Sequence, residues 1–189
     1  MGDQYDGRGW CEPLIEFFES IDDEYFLLCF EDHYPVQPLA IEARLRLIEG
    51  LRYLEEGTEF GDTPADKLYL MPDYHDRAEA HYKGLWFISR DKGGEMVTTS
   101  LLPCVWRREF LLKLLHKAVG LKATTPHDFE NFNNPMATGG RVLLTPGDTK
   151  TSCMYANVDA CRSGTFNERI LATWEQNKVL GPQAWMHNV

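Results

Sequence analysis

Residues 13–30, PLIEFFESIDDEYFLLCF, combine an apolar stripe with a row of carboxylates. The apolar side chains recur every three or four residues, which is the period of one face of an α-helix. They are Leu14, Phe18, Ile21, Tyr25 and Leu28. Acidic side chains follow the same rhythm on the opposite side of that helix. These are Glu12, Glu16, Glu19 and Asp23, with Asp22 beside the last of them. The pattern predicts a helix over 13–30, although its end, YFLLCF, also has the residue types of a short strand.

A second helix is predicted over residues 39–57, LAIEARLRLIEGLRYLEEG, after a turn that contains Pro35 and Pro38. Its apolar residues form two adjacent stripes, which indicates burial against more than one neighbour. The stripes are Ile41, Leu45 and Ile48, and Leu47, Leu51 and Leu54. Together with the first helix, this segment predicts an N-terminal helical hairpin.

The remainder of the chain mixes strand and helix patterns. Residues 83–89 and 96–102 flank a Gly-containing turn and predict a β-hairpin. A basic third helix is expected after Pro103, over residues 104–120, and residues 121–140 indicate an ordered loop or a short helix from Pro126. Two further strands are expected, over RVLLT (141–145) and SCMYANV (152–158), and a capping-box pattern predicts a last helix over residues 166–180.

These elements predict an α+β fold in one domain over residues 1–189. Helices are expected to dominate, with a small and mainly antiparallel β-sheet. Residues 1–62 form the acidic helical part, and residues 63–189 form the mixed part. At 189 residues the chain is long enough for a sizeable core.

Charge is distributed very unevenly along the chain. The first 62 residues carry sixteen Asp and Glu against four Arg, a sum of -12, while residues 63–189 sum to +2. The five cysteines are scattered without a CxxC pair, which is typical of reduced thiols in a cytoplasmic protein. The first residues lack a signal-peptide pattern, and no apolar run reaches the ~20 residues of a membrane span. We therefore expect a soluble, cytoplasmic protein.

The acidic face suggests a non-enzymatic binding protein. Carboxylates interleaved with aromatic side chains can imitate a phosphate backbone or dock on a basic protein groove. The candidate binding residues are Glu12, Glu16, Glu19, Asp22 and Asp23. A partner of this kind is a nucleic-acid-handling enzyme that the protein inhibits, or a larger assembly in which it is an accessory subunit. Two alternatives stay open: the acidic row is solvated or pairs with the basic helix, or the protein is a structural subunit with an apolar patch around Trp10, Trp174 or Trp185.

A different candidate function is that of a small cysteine-dependent hydrolase. Cys11 is next to the start of the first helix, where unpaired amide groups favour a thiolate. His81 precedes the strand predicted over residues 83–89 and is the candidate base. This order of nucleophile and base is similar to that of papain-like hydrolases, and the resemblance is one of topology alone. Catalysis is the less favoured interpretation.

Neither a cofactor nor a metal is predicted. His75, Asp76, Glu79 and His81 contain metal-ligating groups, but a polar connecting segment accounts for them better than a metal site. Phosphate-binding glycine motifs are missing from the sequence, and a sequence pI of about 5.0 disfavours direct nucleic-acid binding.

Overall fold

The computed structural model describes residues 9–30, 33–35, 41–56, 65–70, 80–82, 86–90, 98–131, 140–144, 157–159, 161–162 and 165–166. Four helices lie within these ranges: α1 (Cys11–Glu19), α2 (Ile41–Glu56), α3 (Arg108–Gly120) and α4 (Pro126–Asn131). The strands there are β1 (Tyr25–Leu28), β2 (His33–Pro35), β3 (Lys67–Tyr69), β4 (Ala80–Tyr82), β5 (Trp86–Arg90), β6 (Cys104–Arg107), β7 (Arg141–Leu144), β8 (Asn157–Asp159), β9 (Cys161–Arg162) and β10 (Thr165–Phe166). The fold is α+β.

The first helix is shorter than predicted. It ends at Glu19, and Ser20 closes it: its backbone N–H donates to Glu16 O and Phe17 O, and its hydroxyl donates to Phe17 O at 2.7 Å. The aromatic and aliphatic residues that follow form strand β1, so the strand alternative is correct for Tyr25–Leu28. Side-chain packing and pairing in the sheet outweigh the helical spacing of the apolar residues in this segment.

The predicted helical hairpin is wrong, because strands β1 and β2 lie between α1 and α2. The second helix itself is confirmed. Its wide stripe is buried only in part, since Leu54 is fully buried while Ile41, Leu45 and Ile48 are each more than 60% exposed.

Strands β1, β3, β4, β5, β6 and β7 form one sheet in the order β1-β6-β3-β7-β5-β4. Strands β3 and β7 pair in parallel, with Lys67 opposite Val142, and the other neighbouring pairs are antiparallel. The sheet is therefore mixed, in contrast to the mainly antiparallel sheet that was predicted. Residue type indicates a strand but does not specify its partner, and here a strand from residues 141–144 inserts between two earlier ones.

The segment around Pro103 also differs from the prediction. Residues 104–107 form strand β6, and the basic helix begins only at Arg108. Residues 98–102 are turn and irregular backbone, so they do not form the second strand of the predicted hairpin. Strand β5 pairs with β4 and β7 instead.

Four of the later predictions have mixed outcomes. Strand β7 and the short helix α4 are confirmed. Of the strand predicted over residues 152–158, residues 157 and 158 belong to β8, and residues 152–156 lie outside the described ranges. Within the predicted last helix, Phe166 belongs to strand β10, and residues 167–180 lie outside the described ranges.

Both faces of the sheet are covered by helix. One face carries the side chains of Tyr69, Cys104 and Trp106 and packs against α1 and α3. The other carries Leu68 and Val105 and packs against α2. This alternation follows from the two-residue period of a strand. The contact between Phe18 of α1 and Phe26 of β1 places this strand, the first in the sheet order, beside the end of α1.

Candidate binding surface

The end of α1 and the turn that follows it carry five exposed carboxylates. They are Glu16, Glu19, Asp22, Asp23 and Glu24, which we call the acidic edge. Because α1 ends at Glu19, the two aspartates lie in the turn before β1 and not on the predicted helical row. All five carboxylates nevertheless lie within nine consecutive residues, 16–24.

Glu12 is not part of this exposed surface, although it was predicted to be. It is half-buried in the first turn of α1, and its Oε2 atom is enclosed without a hydrogen-bond partner in the described part of the chain. This oxygen lies 2.9 Å from the position that a Cβ on Gly9 would occupy. Glu12 therefore faces the chain segment that precedes the helix.

Two carboxylates of the acidic edge contact side chains of β6 and α3. Glu19 Oε1 lies 3.1 Å from His116 Nε2, and both side chains are about half exposed. Glu24 Oε1 accepts a hydrogen bond from Arg107 Nη1 at 2.5 Å. Of the acidic row predicted from the sequence, Glu19 thus contacts the basic helix, whereas Glu24 lies outside that row and Arg107 lies in β6. Both pairs are at least partly exposed to water, which limits their contribution to stability.

Arg107 holds the start of β1 in place through several contacts. Besides Glu24, its guanidinium donates to the backbone carbonyls of Leu54 and Ala65 and lies 5.1 Å from the centre of the Tyr25 ring. The Tyr25 hydroxyl donates to the same Leu54 carbonyl at 3.2 Å. Partly buried polar contacts with α2 and with the segment before β3 therefore hold Glu24 and the start of β1 in position.

Large apolar side chains are exposed in the same two elements. Phe17, on α1, is 55% exposed and its ring packs edge-on against Phe18 at 5.2 Å. Leu27, on β1, is 56% exposed. Phe18 and Phe26 join the two elements with ring centres 4.8 Å apart. Exposed aromatic and aliphatic side chains such as Phe17 and Leu27 supply apolar area that a protein partner can bury.

Cys11, the candidate nucleophile, does not have the environment of a catalytic thiol. It is the first residue of α1 but is fully buried. Burial, followed by the nearby carboxylates of Glu12 and Asp128, raises the pKa of its thiol to about 11. The thiol is therefore protonated at neutral pH, whereas a nucleophilic cysteine needs a lowered pKa.

Among the other candidate residues, the structure describes His81 and Trp10. His81 is in β4, the strand at the opposite end of the sheet order from β1. His75, Asp76 and Glu79 lie outside the described residues, as do Trp174 and Trp185. Trp10 is half-buried, with its ring 5.5 Å from that of Phe129.

A buried lysine is the main feature that sequence reasoning missed. Lys67 is fully buried, and its Nζ donates to Ser100 O at 2.6 Å and to Thr98 O at 3.3 Å. The same nitrogen lies 3.9 Å from the centre of the Trp106 ring. Burial lowers the pKa of the Lys67 amine to about 8, against the opposing effects of Cys104 and Glu130.

This lysine attaches an irregular segment to the sheet. Residues 98–100 are buried and receive further hydrogen bonds, among them a 2.6 Å contact between Tyr69 Oη and Ser100 Oγ. Glu130 of α4 accepts from the Leu101 N–H at 2.7 Å. The alternation of the sequence around residue 67 gives no sign of burial, because a lysine in a short strand normally faces water.

Comparison with protein-family models, with curated proteins and with solved structures finds no significant match. Within the described ranges, no three His, Cys, Asp or Glu side chains form a group that could hold a metal ion. Every helix in those same ranges is too short or too polar to cross a membrane.

Proposed function

We propose that this protein is a non-enzymatic binding protein whose acidic edge docks on a basic surface of a protein partner. Two partner classes fit: a nucleic-acid-handling enzyme that the protein inhibits, and a larger assembly of which it is an accessory subunit. The observation that supports this is the exposure of Glu16, Glu19, Asp22 and Asp23 within eight residues of the chain. Clustered carboxylates raise the rate of encounter with a cationic surface and select against acidic ones.

The arrangement favours a protein partner over a nucleic acid. Phosphates would be repelled by the same carboxylates, and the formal net charge is -10. The exposed rings and aliphatic groups of Phe17 and Leu27 add apolar area of the kind that protein partners bury.

The test uses two charge-reversed variants that change the net charge equally. Asp22→Lys with Asp23→Lys alters the acidic edge, while Glu42→Lys with Glu55→Lys alters exposed carboxylates of α2. Binding to a panel of immobilised, purified basic proteins from nucleic-acid machinery is measured by biolayer interferometry at low and at high salt. We expect binding that weakens as salt rises, since screening shortens the reach of exposed charges.

The acidic-edge variant should bind at least about tenfold more weakly than the wild type, and the α2 variant should stay within about threefold of it. Equal losses in both variants would mean that only net charge matters, which contradicts a defined docking surface. Failure of the wild type to bind any panel member at low salt would also contradict the proposal.

A further inference from the structure

Strand β1 lies at an end of the six-stranded sheet and pairs with β6 on one side. An end strand offers a row of backbone donors and acceptors on its other side, and proteins commonly cover or charge such edges. Here the turn before β1 supplies three consecutive carboxylates, Asp22, Asp23 and Glu24. These three members of the acidic edge therefore lie next to the end strand of the sheet.

The register of β1 shows which of its backbone groups face outward. The Arg108 N–H donates to Glu24 O at 2.8 Å, so the Glu24 and Arg108 pair is hydrogen-bonded. In an antiparallel ladder hydrogen-bonded pairs alternate with non-bonded ones. Phe26 and Leu28 therefore bond to β6, and the N–H and C=O groups of Tyr25 and Leu27 face away from it.

A second observation confirms this phase of the ladder. The Arg107 N–H donates to Asp66 O at 2.9 Å, on the β3 side of β6. Residue 107 therefore directs its backbone groups away from β1. Tyr25, which is paired with it, must do the same on the other side, because the two residues form a non-bonded pair.

We infer that the partner binds by adding a basic, extended segment to the sheet along β1. This inference rests on the proposed function, because the same carboxylates supply the charge complementarity. The outward donors and acceptors of Tyr25 and Leu27 form the backbone hydrogen bonds, as in other cases of strand addition. Lys or Arg side chains of the segment lie near Asp22 and Asp23, and the exposed Leu27 side chain contacts an apolar side chain of the added strand.

Charge also selects the basic segment over a second copy of this chain. A second copy carries the same formal net charge of -10, so two copies repel each other as they approach. A cationic segment removes that repulsion and replaces it by attraction.

The experiment uses a fluorescein-labelled peptide of alternating Lys and Val, about eight residues long, and fluorescence anisotropy at low salt. Two further peptides carry backbone N-methyl groups on alternate residues, one peptide on the odd and one on the even positions. Strand addition requires the donors of one set only. We expect one methylated peptide to bind about tenfold more weakly than the other, since it loses two or more hydrogen bonds.

Protein variants provide the complementary test. Leu27→Pro removes an outward N–H without removing a bond to β6, and Leu27→Thr changes the side chain but keeps the N–H. We expect the proline variant to lose binding and the threonine variant to keep most of it. Circular dichroism confirms that each variant is folded, and the methylated peptides, used with the wild type, do not depend on that outcome.

Failure of this inference is distinguishable from failure of the proposed function. Equal binding of the two methylated peptides, with binding still lost in the Asp22→Lys, Asp23→Lys variant, overturns strand addition and leaves the acidic docking surface in place. No peptide binding at low salt overturns strand addition, while the panel of basic proteins decides the function independently. Sedimentation that shows a wild-type dimer and a Leu27→Pro monomer would assign the edge to a second copy and overturn the inference.

Discussion

Replacing Lys67 by Met will change how the stability of this protein depends on pH. Burial lowers the pKa of the Lys67 amine from 10.5 to about 8 in the folded chain. Between these two values the Lys67 amine is more fully protonated in the unfolded chain than in the folded one, so the contribution of this residue to the free energy of unfolding rises with pH. Met has a similar length and no proton to lose, and the variant lacks this rise.

The size of the effect follows from the two pKa values. With a folded pKa of about 8, the amine is about nine-tenths protonated at pH 7 and about one-tenth protonated at pH 9, while the unfolded chain stays protonated. Integration from pH 7 to pH 9 shows that the free energy of unfolding of the wild type increases by about 1 kcal/mol more than that of Lys67→Met. Burial raises the pKa of Cys104 to about 12, so this neighbour stays protonated in the fold, and its titration in the unfolded chain is the same in both proteins.

Urea unfolding at pH 7 and pH 9, followed by circular dichroism, measures how the stability difference between the wild type and Lys67→Met changes with pH. Lys113→Met is the matched control, because Lys113 is exposed on α3. We expect the control to follow the wild type at both pH values. The quantity to compare is the free energy of unfolding of the wild type minus that of Lys67→Met. If this difference stays constant or falls between pH 7 and pH 9, the buried, destabilised ammonium is refuted.

Further predictions concern the buried thiol and two glycines. Cys11 should react with a thiol reagent at pH 7.5 far more slowly in the native protein than in urea, because it is buried and its pKa is raised to about 11; rapid native labelling, seen by mass spectrometry of the Cys11 peptide, would contradict this. Gly140→Ala should destabilise the fold by about 1–3 kcal/mol, since the new Cβ would lie 2.3 Å from Phe110 Cζ and 2.6 Å from Thr98 Cγ2. In Gly120→Ala the new Cβ meets no atom within 4 Å, so the variant should be more stable by up to ~1 kcal/mol and its midpoint of thermal unfolding should rise. A lower midpoint would be inconsistent with the open space around this position.

Local patterns predicted the elements whose periodicity and packing agree. Helix α2, strand β7 and the helix after Pro126 all have residue types that suit both their backbone and their neighbours. Residues 13–30 show the opposite case, since a helical period continues through Tyr25 and Leu28, which the sheet takes as strand β1. Residues 25–28 form a strand because residues 104–107 pair with them, and apolar spacing within residues 13–30 carries no information about that distant strand.

The candidate site was predictable in composition but not in placement. The carboxylates of residues 16–23 were identified from their charge and from a helical spacing that ends at Glu19, whereas Glu12 was misplaced because the contacts near Gly9 are tertiary. The buried Lys67 was missed because its burial depends on carbonyls about thirty residues away in sequence, at Thr98 and Ser100. Such contacts have no signature in the local sequence.

The contacts of Arg107 connect the fold to the proposed docking surface. Its guanidinium holds Glu24, the Tyr25 ring and the carbonyls of Leu54 and Ala65 at one point, so the first residues of β1 are ordered before any partner arrives. A surface that is already ordered loses less conformational entropy on binding than a flexible acidic tail would. The charge of Glu24 is used for this internal purpose, which leaves Asp22 and Asp23 as the carboxylates whose reversal most directly tests recognition.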